Sequence, residues 1–371
     1  MRNETDANNI NPNGNGKKKV SKRRLFIKSF LISIAVFSGI AAAAIFAALK
    51  FARPPTVPTY ADEMLPPEFA YYPAESNEDD KNIGVGVYLN ERLTVSDRKD
   101  EFYTFLLVGL DEGYNTDTII LASYDGVNEE AHMISVPRDS LVNVKRNVKK
   151  INAAYGAGTT NGGGRDGGIS QLRRELKTIV GFAPDYYVIV NLKAFVAIID
   201  AIGGVEVDVP MDMVYDDPDQ NLHINIGRGY KTLYGRDALH FARYRTGNDP
   251  GRTISDYKRI ENQQQVIRAV VDKLLRPSNI LKIPEFIDIF NENVYTNLRP
   301  EDMLWFANEF KKISGSDILQ SHVLPTTDTV RYTYSYELLD EEGILELVNS
   351  SINPYKKDIE AKDLDIITRV D

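Results

Sequence analysis

The chain of 371 residues contains no cysteine. This absence excludes disulfides, thiolate zinc or iron–sulfur sites and a cysteine nucleophile. Histidine is also scarce: there are only four, His132, His223, His240 and His322, and no two of them have the spacing of a histidine metal motif. Apolar residues are abundant, because 43% of the chain is hydrophobic and 26% is charged. That composition supports a substantial core and excludes a disordered chain.

Charge is unevenly distributed along the chain, whose formal net charge is −9. Residues 1–28 contain eight basic side chains against Glu4 and Asp6, so the remaining residues are strongly acidic. An acidic body of this kind repels the phosphate backbone of nucleic acids. We therefore expect no nucleic-acid partner.

An uncharged run of 21 residues, SFLISIAVFSGIAAAAIFAAL, lies between Lys28 and Lys50. As a helix it would be roughly 30 Å long, the thickness of a bilayer core. A secretory signal peptide is the alternative, but its apolar region is usually about 7–15 residues long and precedes a small-residue cleavage site. The length favours an uncleaved transmembrane anchor over residues 25–50. Its basic N-terminal flank predicts a single-pass protein of the cell membrane, with a cytoplasmic N-terminus and an extracytoplasmic catalytic domain.

The pattern predicts four segments: a cytoplasmic basic tail (1–24), the anchor (25–50), an extracytoplasmic stalk (51–100) and one domain (101–371). The stalk is predicted because residues 53–100 contain six prolines and little apolar periodicity. Short β-rich runs predict strands at 103–108, 118–123, 133–136 and 186–190. Helical periodicity predicts helices at 169–180, 192–202, 235–242, 254–275, 284–291 and 300–313. Interleaved strands and helices indicate a single α/β domain with a mixed central sheet flanked by helices.

Two carboxylates fall at the ends of neighbouring predicted strands. Asp111 ends the first strand and Asp117 begins the second, so both could hold one hard cation with retained water. Aspartate is also common in turns, and the positions alone favour that structural explanation. The glycine-rich segment GGGRDG (162–167) matches GxGxxG, but no strand precedes it directly, so we expect a flexible loop opening the helix 169–180.

The predicted helix 254–275 has polar residues on its apolar side. At 100° per residue, Asp256, Arg259 and Gln263 fall within the stripe formed by its apolar residues. A buried charge requires a partner, which could be another side chain, a metal or an anionic ligand. A structural ion pair and a polar pocket both explain this pattern.

Three further arginines could converge with this helix. Arg243 and Arg245 flank a tyrosine just before it, and Arg138 follows the third predicted strand in SVPRDS. The planar guanidinium group suits phosphate, although each arginine alone is explained as a solvated side chain.

The order and spacing of several motifs resemble the LytR-CpsA-Psr family. The motifs are LLVGLD, TDTIIL, SVPRDS, KINAAYGAG, YYVIVNLKAF, IDAIGGVEVDVP, LYGRDALHFARYR and the DYKRIENQ helix, and they cover residues 101–275 strongly. The resemblance implies a membrane-anchored phosphotransferase of Gram-positive-type bacteria. Such an enzyme attaches a cell-wall glycopolymer, such as teichoic acid or capsule, from a polyprenyl-pyrophosphate carrier to peptidoglycan.

The resemblance also implies roles for individual residues. Asp111 and Asp117 correspond to the carboxylates that hold Mg²⁺, and Asp256 to an acidic residue proposed as base. The pyrophosphate-binding set implied by the resemblance is Arg138, Arg243, Arg245, Arg259 and Gln263. Of these, Arg138 and Arg243 would also be catalytic.

Two positions depart from the family pattern. Asn115-Thr116 stand where an arginine commonly precedes the second aspartate, and Asn262 stands where the helix motif has its second arginine. Both changes leave less positive charge for the phosphates. Two other functions remain open: a non-catalytic glycan- or phospholipid-binding protein, and a regulatory protein of the transcription-attenuator type.

Overall fold

The computed structural model describes residues 53–57, 93–111, 114–218, 222–247, 251, 253–274, 276, 279, 294–310, 319–331 and 334–367. The strands of this part of the chain are β1 (Phe102–Leu110), β2 (Thr116–Asp125), β3 (Glu130–Ser135), β4 (Tyr186–Asn191), β5 (Val205–Val209), β6 (Met213–Asp217), β7 (Leu222–Ile226), β8 (Gly229–Leu233), β9 (Val294–Thr296), β10 (Leu319–Val323), β11 (Thr326–Arg331) and β12 (Tyr334–Leu339). Its α-helices are α1 (Ala154–Gly158), α2 (Gly164–Val180), α3 (Leu192–Ala201), α4 (Gly235–Arg243), α5 (Asp256–Leu274), α6 (Pro300–Glu309) and α7 (Glu341–Ser351).

Six strands form a central sheet in the order β10-β3-β2-β1-β4-β9. The pairs β1–β4 and β3–β10 are parallel, and the other three neighbouring pairs are antiparallel. The predicted mixed central sheet is therefore confirmed. Three separate two-stranded pairs, β5–β8, β6–β7 and β11–β12, lie outside it.

Side chains alternate along every strand, so each strand contributes residues to both faces of the sheet. Helices cover both faces. One face, which includes Leu106 and Ile134, shares a core with residues of α2 and α7. The other face is aromatic, and its rings contact α6 at centroid distances such as 4.9 Å between Phe105 and Phe306. This aromatic cluster consists of Tyr103, Phe105, Tyr124, Tyr186, Trp305, Phe306 and Phe310.

A second core joins α3, α4 and α5 to the strand pairs β5–β8 and β6–β7. Its buried side chains include Val205, Val207 and Val209, which alternate with exposed or half-buried acidic residues along β5. The sequence did not predict these four strands, because each has only five residues and polar or charged residues interrupt its apolar ones.

The glycine-rich segment differs from its prediction. Residues 164–168 belong to α2, so the helix begins five residues before the predicted start. Gly158 and Gly167 lie so close that a Cβ on Gly158 would be 2.2 Å from the carbonyl oxygen of Gly167. Glycine at these positions allows α1 to pack against α2, which the sequence pattern does not reveal. The left-handed Gly162, with φ of 91°, forms the turn between them.

Other helix boundaries follow from local contacts. The helix predicted at 254–275 begins at Asp256, because the Ser255 hydroxyl oxygen accepts a hydrogen bond from the Lys258 N–H at 3.2 Å. The helix predicted at 300–313 is described as far as Glu309, and residues 311–313 lie outside the described residues. The helix predicted at 284–291 also lies outside them.

Described parts of the predicted stalk contact the domain. The Tyr103 and Tyr186 hydroxyls donate to the carbonyl oxygens of Pro55 and Thr56, at 3.4 Å and 3.2 Å. Arg98 forms an ion pair of 2.6 Å with the buried Asp185. The segment boundaries 1–24, 25–50, 51–100 and 101–371 stay predictions.

The apolar run 29–49 lies outside the described residues. Among the residues that are described, no helix has the length and hydropathy needed to cross a bilayer. The single-pass arrangement therefore stays a prediction.

The contact between Arg98 and Asp185 predicts a stability effect. Arg98→Ala removes a cation from a carboxylate that is 2% exposed, so we expect it to lower the free energy of unfolding by about 3–5 kcal/mol. Chemical denaturation of the two proteins measures this difference. Lys356→Ala is the control, because the Lys356–Asp100 pair is exposed and 3.8 Å apart. Equal stability of both variants would contradict the stabilising role of the Arg98–Asp185 pair.

Candidate functional site

A cleft lies where β2 begins and β3 ends. Because these strands are antiparallel, with Ile120 opposite Ser135, the start of one lies beside the end of the other. The N-terminal half of α5, the end of β10 and the β11–β12 pair complete the cleft, whose volume is about 510 Å³ including its open mouth. Its lining residues are Asp117, Thr118, Ile119, Ser135, Val136, Pro137, Arg138, Asp139, Tyr257, Arg259, Ile260, Gln263, Val323, Thr326 and Glu337.

Arg138 lies between two carboxylates on this lining. Its Nη1 donates to Asp117 Oδ1 at 2.8 Å, and its Nε is 3.9 Å from Asp139 Oδ1. The Arg243 guanidinium lies 3.8 Å from Asp117 Oδ2, and Lys150 Nζ lies 3.1 Å from Asp139 Oδ1. Positive and negative groups therefore alternate along a series of ion pairs, of which Asp117, Arg138 and Asp139 line the cleft.

Arg259 and Gln263 reach the cleft from α5. They are one helical turn apart and face the same side, as the spacing predicts. Arg259 is buried, with 7% exposure, and Gln263 Nε2 donates to the Ala242 carbonyl at 3.3 Å. This last bond ties α5 to the end of α4, beside Arg243. Gln264, on another side of α5, donates to Ser135 Oγ at 3.0 Å and so holds the helix against β3.

The remaining predicted site residues lie differently. Asp111 does not line the cleft; its carboxylate accepts bonds from the backbone N–H and the side chain of Asn115, at 2.8 Å and 3.2 Å. Arg243 and Arg245 also lie outside the lining, although Arg243 reaches Asp117. The side chain of Asp256 lies outside the described part of the structure.

The predicted magnesium carboxylates lie at the same end of the β1–β2 pair. Leu110, the last residue of β1, pairs with Thr116, the first residue of β2, so Asp111 directly follows β1 and Asp117 is the second residue of β2. Among the described residues no group of three or more acidic or imidazole side chains is arranged for a metal. Magnesium is commonly held by one or two carboxylates together with waters and substrate phosphates. The two aspartates fit that donor set.

Comparison with known proteins decides the family. The sequence model of the LytR_cpsA_psr family matches residues 71–352. The chain belongs to the LytR-CpsA-Psr family. The resemblance expected from the motifs is thereby confirmed.

Relatives in this family include TagV and TagU of Bacillus subtilis, each named a polyisoprenyl-teichoic acid–peptidoglycan teichoic acid transferase. TagV is 32% identical over 222 residues, which are 57% of this chain and 53% of TagV, so the match spans about half of that relative. TagU is 26% identical over 259 residues, 68% of this chain and 78% of TagU. The crystal structure of TagV has a TM-score of 0.55 at 25% identity and covers 68% of this chain and 96% of that chain.

Sequence reasoning did not single out several cleft residues, among them Tyr257, Thr326 and Glu337. The Thr326 hydroxyl donates to Glu337 Oε2 at 2.7 Å. Glu337 is brought to the cleft by backbone hydrogen bonds to residues 139 and 141, which carried no local sequence signal. Asp139 could have been identified from the sequence, because it directly follows Arg138.

Asn262 occupies the position where the LytR-CpsA-Psr helix motif has its second arginine. It is 1% exposed and does not line the cleft, and its Nδ2 has no hydrogen-bond partner among the described residues. Asn262 is therefore enclosed in the domain and does not contribute to the cleft. An arginine at this buried position would need a partner for its charge.

This burial predicts the effect of restoring the family arginine. Asn262→Arg adds atoms and a charge to a position that is 1% exposed, so we expect it to lower the free energy of unfolding by about 1–3 kcal/mol. Asp272→Arg, at an exposed position of the same helix, is the matched control. Thermal or chemical denaturation compares them. An Asn262→Arg variant as stable as the wild type would contradict this account of the position.

Proposed function

We propose that this protein is a phosphotransferase that attaches a cell-wall glycopolymer from a polyprenyl-pyrophosphate carrier to peptidoglycan. The observation that supports this function best is the convergence of Arg138, Arg259 and Gln263 with Asp117 on one cleft. The names of TagV and TagU point to the same reaction. The alternative, a glycan- or phospholipid-binding protein without turnover, makes use of the same arginines.

Phosphoryl transfer depends on positioning and charge stabilisation more than on covalent chemistry. In the proposed reaction an acceptor hydroxyl oxygen bonds to the phosphorus that carries the glycan. The bond from that phosphorus to the bridging oxygen breaks, and polyprenyl phosphate leaves with this oxygen. The hydroxyl proton passes to a base, for which Asp256 at the start of α5 is the candidate.

The basic residues have separate tasks in this scheme. Arg138 and Arg259 bind the pyrophosphate oxygens, and the burial of Arg259 strengthens its field because little water screens it. Gln263 donates to the phosphate from the same side. Arg243 and Arg245, at the end of α4 and just after it, complete the cationic region at its edge.

Asp111 and Asp117 are proposed to hold Mg²⁺. When bound, the ion would neutralise developing charge on the phosphate oxygens. Asp117 would also keep Arg138 oriented through the bond between them. Because the substrate is a membrane lipid, the proposed location is the outer face of the cell membrane, with the apolar run 29–49 as the anchor.

The metal assignment is tested by two substitutions. Asp111→Ala and Asp117→Ala should each abolish metal-dependent turnover and leave the thermal melt near that of the wild type, because neither carboxylate is in the core. Turnover of a polyprenyl-pyrophosphate-linked saccharide, with and without EDTA, measures this. Asp272→Ala is the control. Full activity of both variants, together with no effect of EDTA, would remove the metal from the mechanism.

Arg259 provides the sharper test of catalysis against structure. If Arg259 stabilises the transition state, Arg259→Ala should lower the rate on the order of 10²-fold or more, the cost of losing one preorganised donor. If Arg259 forms only a structural ion pair with Asp256, Arg259→Ala should lower the free energy of unfolding by roughly 3–5 kcal/mol and therefore melt at a lower temperature. In that case an apolar double variant at both positions would recover stability and activity, and this recovery would contradict the catalytic role.

A further inference from the structure

The cleft lining carries two chemically different groups of residues. One consists of Arg138, Arg259 and Gln263, and the other, here called the acidic wall, consists of Asp139, Tyr257, Thr326 and Glu337. We infer that this acidic wall binds a neutral sugar ring of the glycan acceptor and presents its hydroxyl to the pyrophosphate. The inference rests on the proposed function and assigns the acceptor side of the same site.

Backbone hydrogen bonds fix the acidic wall next to Arg138. The Glu337 N–H donates to the Asp139 carbonyl at 3.0 Å, and the Leu141 N–H donates to the Glu337 carbonyl at 2.8 Å. Glu337 is therefore held beside the segment that carries Arg138, although the two are far apart in sequence. A ligand in the cleft can therefore contact both groups of residues at once.

The residue types of the acidic wall suit a saccharide. The Tyr257 ring is 54% exposed and lines the cleft, so its flat apolar face is available to the C–H face of a pyranose. Carboxylate oxygens of Glu337 and Asp139 accept hydrogen bonds from sugar hydroxyls, and the Thr326 hydroxyl can accept one as well. An apolar platform with a few convergent polar groups is the usual form of a small-ligand site.

Charge favours a neutral ring beside Glu337. The Glu337 carboxylate repels a pyrophosphate, whereas Arg138 and Arg259 attract it. Asp139 is partly neutralised, because Lys150 Nζ lies 3.1 Å and Arg138 Nε 3.9 Å from its Oδ1. A hydroxyl-bearing neutral ring at Tyr257 and Glu337 can therefore lie next to a donor that the arginines hold.

The test measures binding of each substrate separately to the full-length protein in detergent. The acceptor probe is a soluble, uncrosslinked peptidoglycan glycan fragment, and the donor probe is a polyprenyl-pyrophosphate-linked saccharide. Tyr257→Ala and Glu337→Gln should each raise the Kd for the glycan fragment about tenfold, which corresponds to about 1.4 kcal/mol. Tyr257→Phe, which keeps the ring, should retain the wild-type Kd.

Tyr334→Ala and Asp328→Asn are matched controls, because both residues lie on the β11–β12 pair but not on the cleft lining. They should leave the Kd for the glycan fragment unchanged. A thermal melt of each variant separates lost binding from lost folding.

Three results would overturn the inference: no binding of the glycan fragment by the wild type, unchanged glycan affinity in Tyr257→Ala and Glu337→Gln, or a loss confined to donor affinity. The last result would place the donor's sugar on the acidic wall. A wild type that binds the glycan fragment through Tyr257 and Glu337 but transfers no polymer would contradict the proposed function and not the binding assignment.

Discussion

The hydrogen-bonded ion pair between Arg138 and Asp117, 2.8 Å long, joins the end of β3 to the beginning of β2 and organises the cleft around it. It depends on the antiparallel register that sets these strand ends side by side. Both side chains are about one-quarter exposed, so each charge keeps some solvent and is available to a ligand. Arg243, Asp139 and Lys150 extend the pair into a network of alternating sign.

The alternating charges restrict where an anionic ligand can lie in the cleft. An isolated cluster of arginines would bind any phosphate, but carboxylates beside it restrict where the anion can lie. Buried Arg259 adds a cation whose field is little screened, and the Glu337 carboxylate on the same cleft lining opposes phosphate binding beside it. This arrangement supports the proposal that an anionic donor and a hydroxyl acceptor lie next to each other in the cleft, as a transfer reaction requires.

Residues that follow the helical period, or that lie next to a recognised motif residue, were predictable from the sequence. Arg259 and Gln263 share one helix face, and the mixed sheet followed from apolar runs interleaved with helices. Glu337 and Thr326 were not predictable, because a strand pair from another part of the chain brings them in through backbone bonds. Gly167 was assigned to a loop, because the close packing of Gly158 and Gly167 leaves no periodic pattern in the sequence. The burial of Asn262 is equally invisible in one sequence.

The account is tested most directly by following the phosphorus atom. The full-length protein in lipid vesicles would receive peptidoglycan and a polyprenyl-pyrophosphate-linked saccharide labelled at the phosphate nearest the sugar. We expect the label to appear in peptidoglycan as a phosphodiester, with release of polyprenyl monophosphate. If the donor binds but the label stays in the lipid, or is released as sugar phosphate with unmodified peptidoglycan, the protein does not perform the proposed transfer.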